Sequence, residues 1–199
     1  MKAWPTRDLV TLAVFGALWG VAEMTLGALL HSLQFPLTGL AMGAVGMLVA
    51  LTGYRFVPRP GTVLTIAVVS ALLKLLSIGP NVFSPMLAIT VEGSLAELGL
   101  ALGGGRPTRL ALALAGSLGV LWSLAHRFVL QTVMAGRGVF EIYMRSFSAG
   151  ARLLHLDPRI VPEVLLVLIA LHLLAGALVG LTAHALGEQV SRRLQSRLA

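Results

Sequence analysis

The sequence predicts an all-α integral membrane protein: a bundle of six transmembrane helices with both termini cytoplasmic. Three observations carry that expectation. The 199 residues are 57% hydrophobic and only 12% charged, against about 25% charged in ordinary globular domains. The apolar residues gather into six stretches, most of them about 20 residues long, the length that crosses a bilayer core. The basic residues sit at the ends of those stretches and form no continuous patch, which is how membrane topology uses them.

The first stretch, about 9–30, follows Lys2 and Arg7 and ends at His31 and the Phe35-Pro36 turn. A basic flank before an apolar run also marks secretory signals. This run is too long for a typical signal core and lacks an A-x-A cleavage pattern between Gly27 and His31, so it is expected to be retained. The second stretch, about 38–53, stops at Tyr54 and a loop holding Pro58 and Pro60. The third, about 61–78, is broken by Gly79-Pro80-Asn81. The fourth begins near Ser84-Pro85 and runs to about 102, where three glycines and Pro107 end it. The fifth and sixth cover about 109–134 and 161–186. Gly and Pro at these boundaries are the expected helix stops, and the whole of 1–199 reads as one membrane domain. Within the long connection, 138–155, Glu141, Arg145, Ser148 and Arg152 recur at helical spacing opposite Phe140, Tyr143, Met144, Phe147 and Leu154. That is the pattern of an amphipathic helix on the outer surface, either a connector or a lid.

Orientation follows from Lys and Arg. The N-terminus, the 54–60 and 103–109 loops and the C-terminal tail hold Lys2, Arg7, Arg55, Arg59, Arg106, Arg109, Arg192, Arg193 and Arg197, nine of the 15 basic residues. Arg137, Arg145, Arg152 and Arg159 lie in the one long loop opposite, and its two short neighbours have none. This bias places both termini inside. The net charge of +7 therefore reports topology and gives no support for a nucleic-acid partner. With no cysteine, disulfides, thiolate metal sites and cysteine nucleophiles are excluded.

Helices in lipid pack through small residues. Stripes of them run along every long segment: Ala13, Gly16, Ala17, Gly20 and Gly27; Ala96, Gly99 and Gly103; Gly116, Gly119 and Ser123; Gly176, Gly180 and Gly187. Glu23, Lys74, Glu92, His126, Arg127 and His172 fall on or beside these stripes, all in the outer half of the membrane. An intramembrane charge costs about 2.5–3.5 kcal/mol even on lenient scales. The plain reading is ion pairing of Glu23 and Glu92 with Lys74 and Arg127. The functional reading is a polar pocket open to the outside, with Trp122 one turn from His126, and Trp19 from Glu23, offering flat surfaces to a ligand. Two acids balanced by two bases favour a zwitterionic or neutral ligand. Glu97, about 140° round the helix from Glu92, reads as a structural or coupling residue, and Trp4 and Tyr54 as an interfacial belt.

Enzyme signatures are poor. Gly116-Ser117-Leu118-Gly119 does not match an intramembrane serine protease pattern, and His184 to Glu188 is not H-E-x-x-H. No Walker A sequence occurs, so ATP hydrolysis belongs to other subunits. His31, His126 and His172 have no specific metal-ligand spacing, and no cofactor or metal is expected.

The six segments, the length near 200 residues and the outward pocket resemble the substrate-binding S components of energy-coupling factor transporters. Ala13-Val14-Phe15-Gly16-Ala17 is similar to that family's AxxxA helix-packing motif. The resemblance implies that Ala13 and Ala17 dock onto a transmembrane coupling subunit, which joins two cytoplasmic ATPases. It implies a vitamin or vitamin precursor as the small-molecule substrate. The chain departs from the family in its short first outer loop, and it begins Met-Lys-Ala-Trp where metal-specific members carry Met-His, which disfavours cobalt or nickel. A self-sufficient proton-coupled carrier using Glu23, Glu92 and His172 is the competing class, and an intramembrane enzyme or assembly protein the third.

Overall fold

The computed structural model describes residues 4–77, 82–135 and 160–198, with positions 138, 141, 144, 148 and 157 singly between them. Among the described residues the fold is all helical. It comprises α1 (Thr6–Ser32), α2 (Thr38–Phe56), α3 (Thr62–Leu73) continued by a 3-10 turn (Lys74–Leu76), α4 (Phe83–Leu102), α5 (Arg109–Ala135) and α6 (Val161–Leu198). The outer amphipathic segment expected over 138–155 and the turn at Asn81 lie largely outside the described residues.

Six spans are expected from the sequence, and five helices are long and apolar enough to cross a membrane: α1, α2, α4, α5 and α6. The exception is α3, whose twelve residues rise about 18 Å, with the 3-10 turn adding about 6 Å. That falls short of a core of about 30 Å. Conversely, α6 continues to Leu198, past the apolar stretch, because its tail is built of strong helix formers such as Gln189, Arg192 and Arg193.

The helices form a ring in which α1 packs on α3, α3 on α4, α4 on α5 and α5 on α6, while α2 touches all five others. Accordingly α2 is the most buried span, and Met47, Ala50 and Leu51 on it are fully enclosed. The outer faces are apolar: Val10, Val14, Leu18 and Val21 on α1, and Leu166, Leu174 and Leu178 on α6, are exposed. A continuous surface of that kind is suited to lipid and would be an aggregation site in water.

Close approach is made by glycine. On α5 and α6 a Cβ at Gly116 or Gly176 would run into the other's backbone, and Ser117 Oγ donates to the Leu173 carbonyl across the same contact at 2.9 Å. Gly16 and Gly20 of α1 face Val69 and Leu73 of α3.

One end of the bundle is tied by its basic loops. Arg59 lies 4.7 Å above the Trp4 ring and 3.4 Å from Asp8. Arg55 Nη1 donates to the Pro107 carbonyl at 2.9 Å and packs over Gly187. Tyr54 is expected in an interfacial belt but is 2% exposed, because its hydroxyl donates inward to the Gly105 carbonyl at 3.0 Å. Near this end Glu97 of α4 accepts the Val63 and Leu64 backbone N–H groups at 2.7 and 3.3 Å. It caps the positive N-terminus of α3 from a neighbouring helix, doing what no side chain of the Gly61 N-cap can do.

Candidate functional site

The polar residues of the opposite half are assembled by α1, α2, α4 and α5 together with the end of α3. Trp19 of α1 is fully buried. Its indole lies over Gly46 of α2, where any Cβ would overlap the ring. That contact fixes the α1–α2 spacing and makes Trp19 a packing residue. Its N–H approaches the Glu23 carboxylate without full hydrogen-bond geometry.

Glu23, one turn on, meets Lys74. The Nζ of Lys74 is 3.7 Å from Glu23 Oε2 and donates to the Glu23 backbone carbonyl at 3.1 Å. The lysine begins the 3-10 turn that ends α3, and its side chain crosses to α1 to neutralise the carboxylate there. Both side chains are largely enclosed, 14% and 12% exposed.

Glu92 stands differently. It is 5% exposed and makes no hydrogen bond or ion pair with any described residue. Its Oε1 faces Gly43 of α2, where a Cβ would lie 3.6 Å from it and 3.5 Å from the Ser123 Cβ. The charge close enough to act on it is that of Glu23, which repels it. A buried ionised carboxylate with no partner is one of the costliest arrangements a protein interior can hold.

On α5 the Trp122 and His126 rings lie 5.7 Å apart, tilted by 60°. His126 Nε2 is 3.0 Å from Ser84 Oγ of α4. The Nδ1 of His126 and the Nε1 of Trp122 are both buried without a hydrogen-bond partner. Two unsatisfied ring nitrogens one helical turn apart can be met by a ligand or by water.

The structure thus brings Glu23, Lys74, Glu92, Trp122 and His126 to one side of the bundle interior. Two of the sequence candidates stand apart. Arg127, expected inside as the partner of an acid, is exposed and makes no hydrogen bond or ion pair with a described residue. Successive helical residues point about 100° apart, and His126 has the inward position. His172 is buried, at 3% exposure, but its Nδ1 is taken by the Leu168 carbonyl of its own helix at 2.7 Å. It forms no hydrogen bond or ion pair with the cluster. Ser84 and Gly43 belong to the site and were not legible as such; Ser84 reads from the sequence only as a helix start. Among the described residues no group of three His, Cys, Asp or Glu side chains converges as a metal site.

Ala13 and Ala17, the docking residues that the resemblance implies, flank the Gly16/Gly20 contact of α1 with α3 on the helical wheel. Ala13 is exposed and Ala17 half-buried. Towards the basic-loop end, α1 borders a groove of about 470 Å³ lined by Arg7, Val10, Thr11, Val14, Phe15 and Phe56.

A multi-pass helical bundle with an enclosed polar cluster in one half is the architecture of a membrane transport component. Residues 7–122, more than half of the chain, match the family described as the ABC-type cobalt transport system, permease component. The chain belongs to that family. No curated protein and no solved structure matches it. The matched region includes Glu23, Lys74, Glu92 and Trp122 and ends just before His126.

Proposed function

We propose that the chain is the membrane-embedded substrate-binding subunit of an energy-coupling factor transporter. In this reading it captures a small polar micronutrient, a vitamin or vitamin precursor, in the outer half of the membrane. A separate coupling subunit and two cytoplasmic ATPases then drive its release inward. The observation that carries the reading is the cluster itself: a paired Glu23–Lys74 beside an unpaired, buried Glu92, with orphaned ring nitrogens on Trp122 and His126. Membership in a transport-permease family makes such a cluster a substrate site before anything else. The basic residues gathered at one end support a cytoplasmic location for that end, and Ala13 and Ala17 of α1 would be offered to the coupling subunit.

Cobalt is named in the family's description. Here a carboxylate paired with lysine and one imidazole nitrogen per neighbourhood suit an organic ligand better than a transition metal. The test is purification from the host membrane under mild conditions, with uptake assayed in cells lacking the coupling ATPases. Co-purifying ATPases and uptake lost without them support the subunit. Uptake that survives their deletion and collapses with the proton gradient favours the second reading, a proton-coupled carrier, for which the unpaired Glu92 is the specific motive.

A further inference from the structure

Resting on the reading of this chain as a substrate-binding subunit, the charge distribution around Glu92 specifies what that substrate carries. The inventory of charges inside the described bundle half is short. Lys74 is engaged by Glu23 through both its carboxylate and its backbone carbonyl, and it makes no ion pair with Glu92. Arg127, the other base of this region, faces outward. Ser123 and Gly43 border the Glu92 carboxylate and neither bears charge. His126 points one nitrogen at Ser84. Among the described residues, the most enclosed acid of the protein therefore has no cation beside it.

We infer that Glu92 receives the positive group of an organic monocation, a flat amidinium or ring-ammonium compound whose body lies against Trp122 and His126. Two further features agree with that choice. The unpartnered Trp122 Nε1 and His126 Nδ1 are buried ring groups able to hydrogen-bond the polar edge of a planar molecule, on the same helix as the Ser123 that borders Glu92, and an indole face attracts cations. The site holds one carboxylate without a partner, so the match is a single charge. A divalent ion there would face the Lys74 ammonium behind Glu23 and find no third His, Cys, Asp or Glu ligand among the described residues. The inference replaces the neutral or zwitterionic ligand expected when Arg127 is counted inside.

The experiment uses the full chain in lipid nanodiscs with three isosteric probes, benzamidinium, benzamide and benzoate, and with cobalt ion as a fourth. Binding is read by calorimetry and by thermal stabilisation. The expected result is benzamidinium bound at least tenfold more tightly than benzamide, with benzoate weaker still. Glu92→Gln abolishes that preference, Glu92→Asp retains part of it, and Glu163→Gln, at an exposed acid near the start of α6, leaves it intact. Benzamide bound as well as benzamidinium overturns the inference, as does no response to benzamidinium or a preference that survives Glu92→Gln. Cobalt binding abolished by the same substitution also overturns it. A melting temperature for Glu92→Gln at or above wild type shows that lost binding is not lost folding. These outcomes are independent of ATPase co-purification: a benzamidinium-selective chain without ATPases keeps the site and loses the transporter reading, and the reverse result does the opposite.

Discussion

Lys74→Met should cost this protein more stability than Glu23→Gln, and the difference can be worked from two distances. The ammonium is 3.7 Å from Glu23 Oε2. At an effective dielectric of about 20 the attraction is about 4 to 5 kcal/mol before the cost of removing both ions from water. That cost is large at this depth, and a net coupling of about 2–3 kcal/mol is what remains. Glu23→Gln removes the carboxylate but leaves Lys74 donating to the Glu23 backbone carbonyl at 3.1 Å, so the ammonium keeps a partner. Lys74→Met removes both interactions and leaves Glu23 beside Glu92 with no cation, a loss of about 3–5 kcal/mol. The double variant should recover about 2 kcal/mol relative to Lys74→Met alone. Reversible unfolding in mixed micelles, run as a double-mutant cycle, measures all four states. Equal costs for the two single variants, or a coupling below about 0.5 kcal/mol, would refute the clamp, and Lys74 would then be a snorkelling base that merely grazes Glu23.

The glycine contact between α5 and α6 is expected to be unyielding, because each glycine meets backbone of the other helix. Gly176→Leu should lower stability by about 2–4 kcal/mol in the same unfolding assay, with Leu178→Ala, on the exposed face of α6, costing under about 1 kcal/mol. Glu97→Ala strips the α3 N-terminus of the acceptor for two N–H groups. A loss of about 1–3 kcal/mol should follow, with hydrogen exchange accelerated first at Val63 and Leu64. Ala13→Trp, at an exposed position of α1, should leave the melting temperature within about 2 °C of wild type. The same substitution should abolish co-purification of the coupling partner; retained assembly would remove Ala13 from the docking surface.

The fold was legible where composition alone decides it. Stretches of apolar residues bounded by glycine and proline must be helices in lipid, since no other open element satisfies its backbone there. What hydropathy could not show was that α3 stops at Leu73. Leu75 and Leu76 continue the apolar run, and the helix tightens into a 3-10 turn where Lys74 reaches across to α1. Which face of each helix turns inward was half legible. The small-residue stripes located the contacts at Gly16, Gly116 and Gly176, but a stripe has width. On α5 Ser123 lies between His126 and Arg127 on the helical wheel, so periodicity alone does not choose between them. The structure chooses His126, because Ser84 of α4 supplies its partner. Such choices depend on pairs 42 residues apart in sequence, which periodicity within one helix does not contain.

On α1 the division of faces connects the site to the surface. Its Gly16 and Gly20 are pressed onto Val69 and Leu73 of α3, and one residue beyond Leu73 stands Lys74, which grips Glu23 on α1 again. The two helices are thus joined at three successive levels, and the α-helical part of α3 is closed at its other end by Glu97 of α4. Packed pairs of this kind move as bodies, because interiors at native density do not deform continuously. In the proposed reading, a ligand that draws on Glu92 changes the field at Glu23, and through Lys74 it acts on a unit whose exposed side carries Ala13, Val10, Val14 and Val21. Physical continuity between the acidic site and the outward face of α1 is therefore built from glycine contacts and one lysine, with no loop motion required.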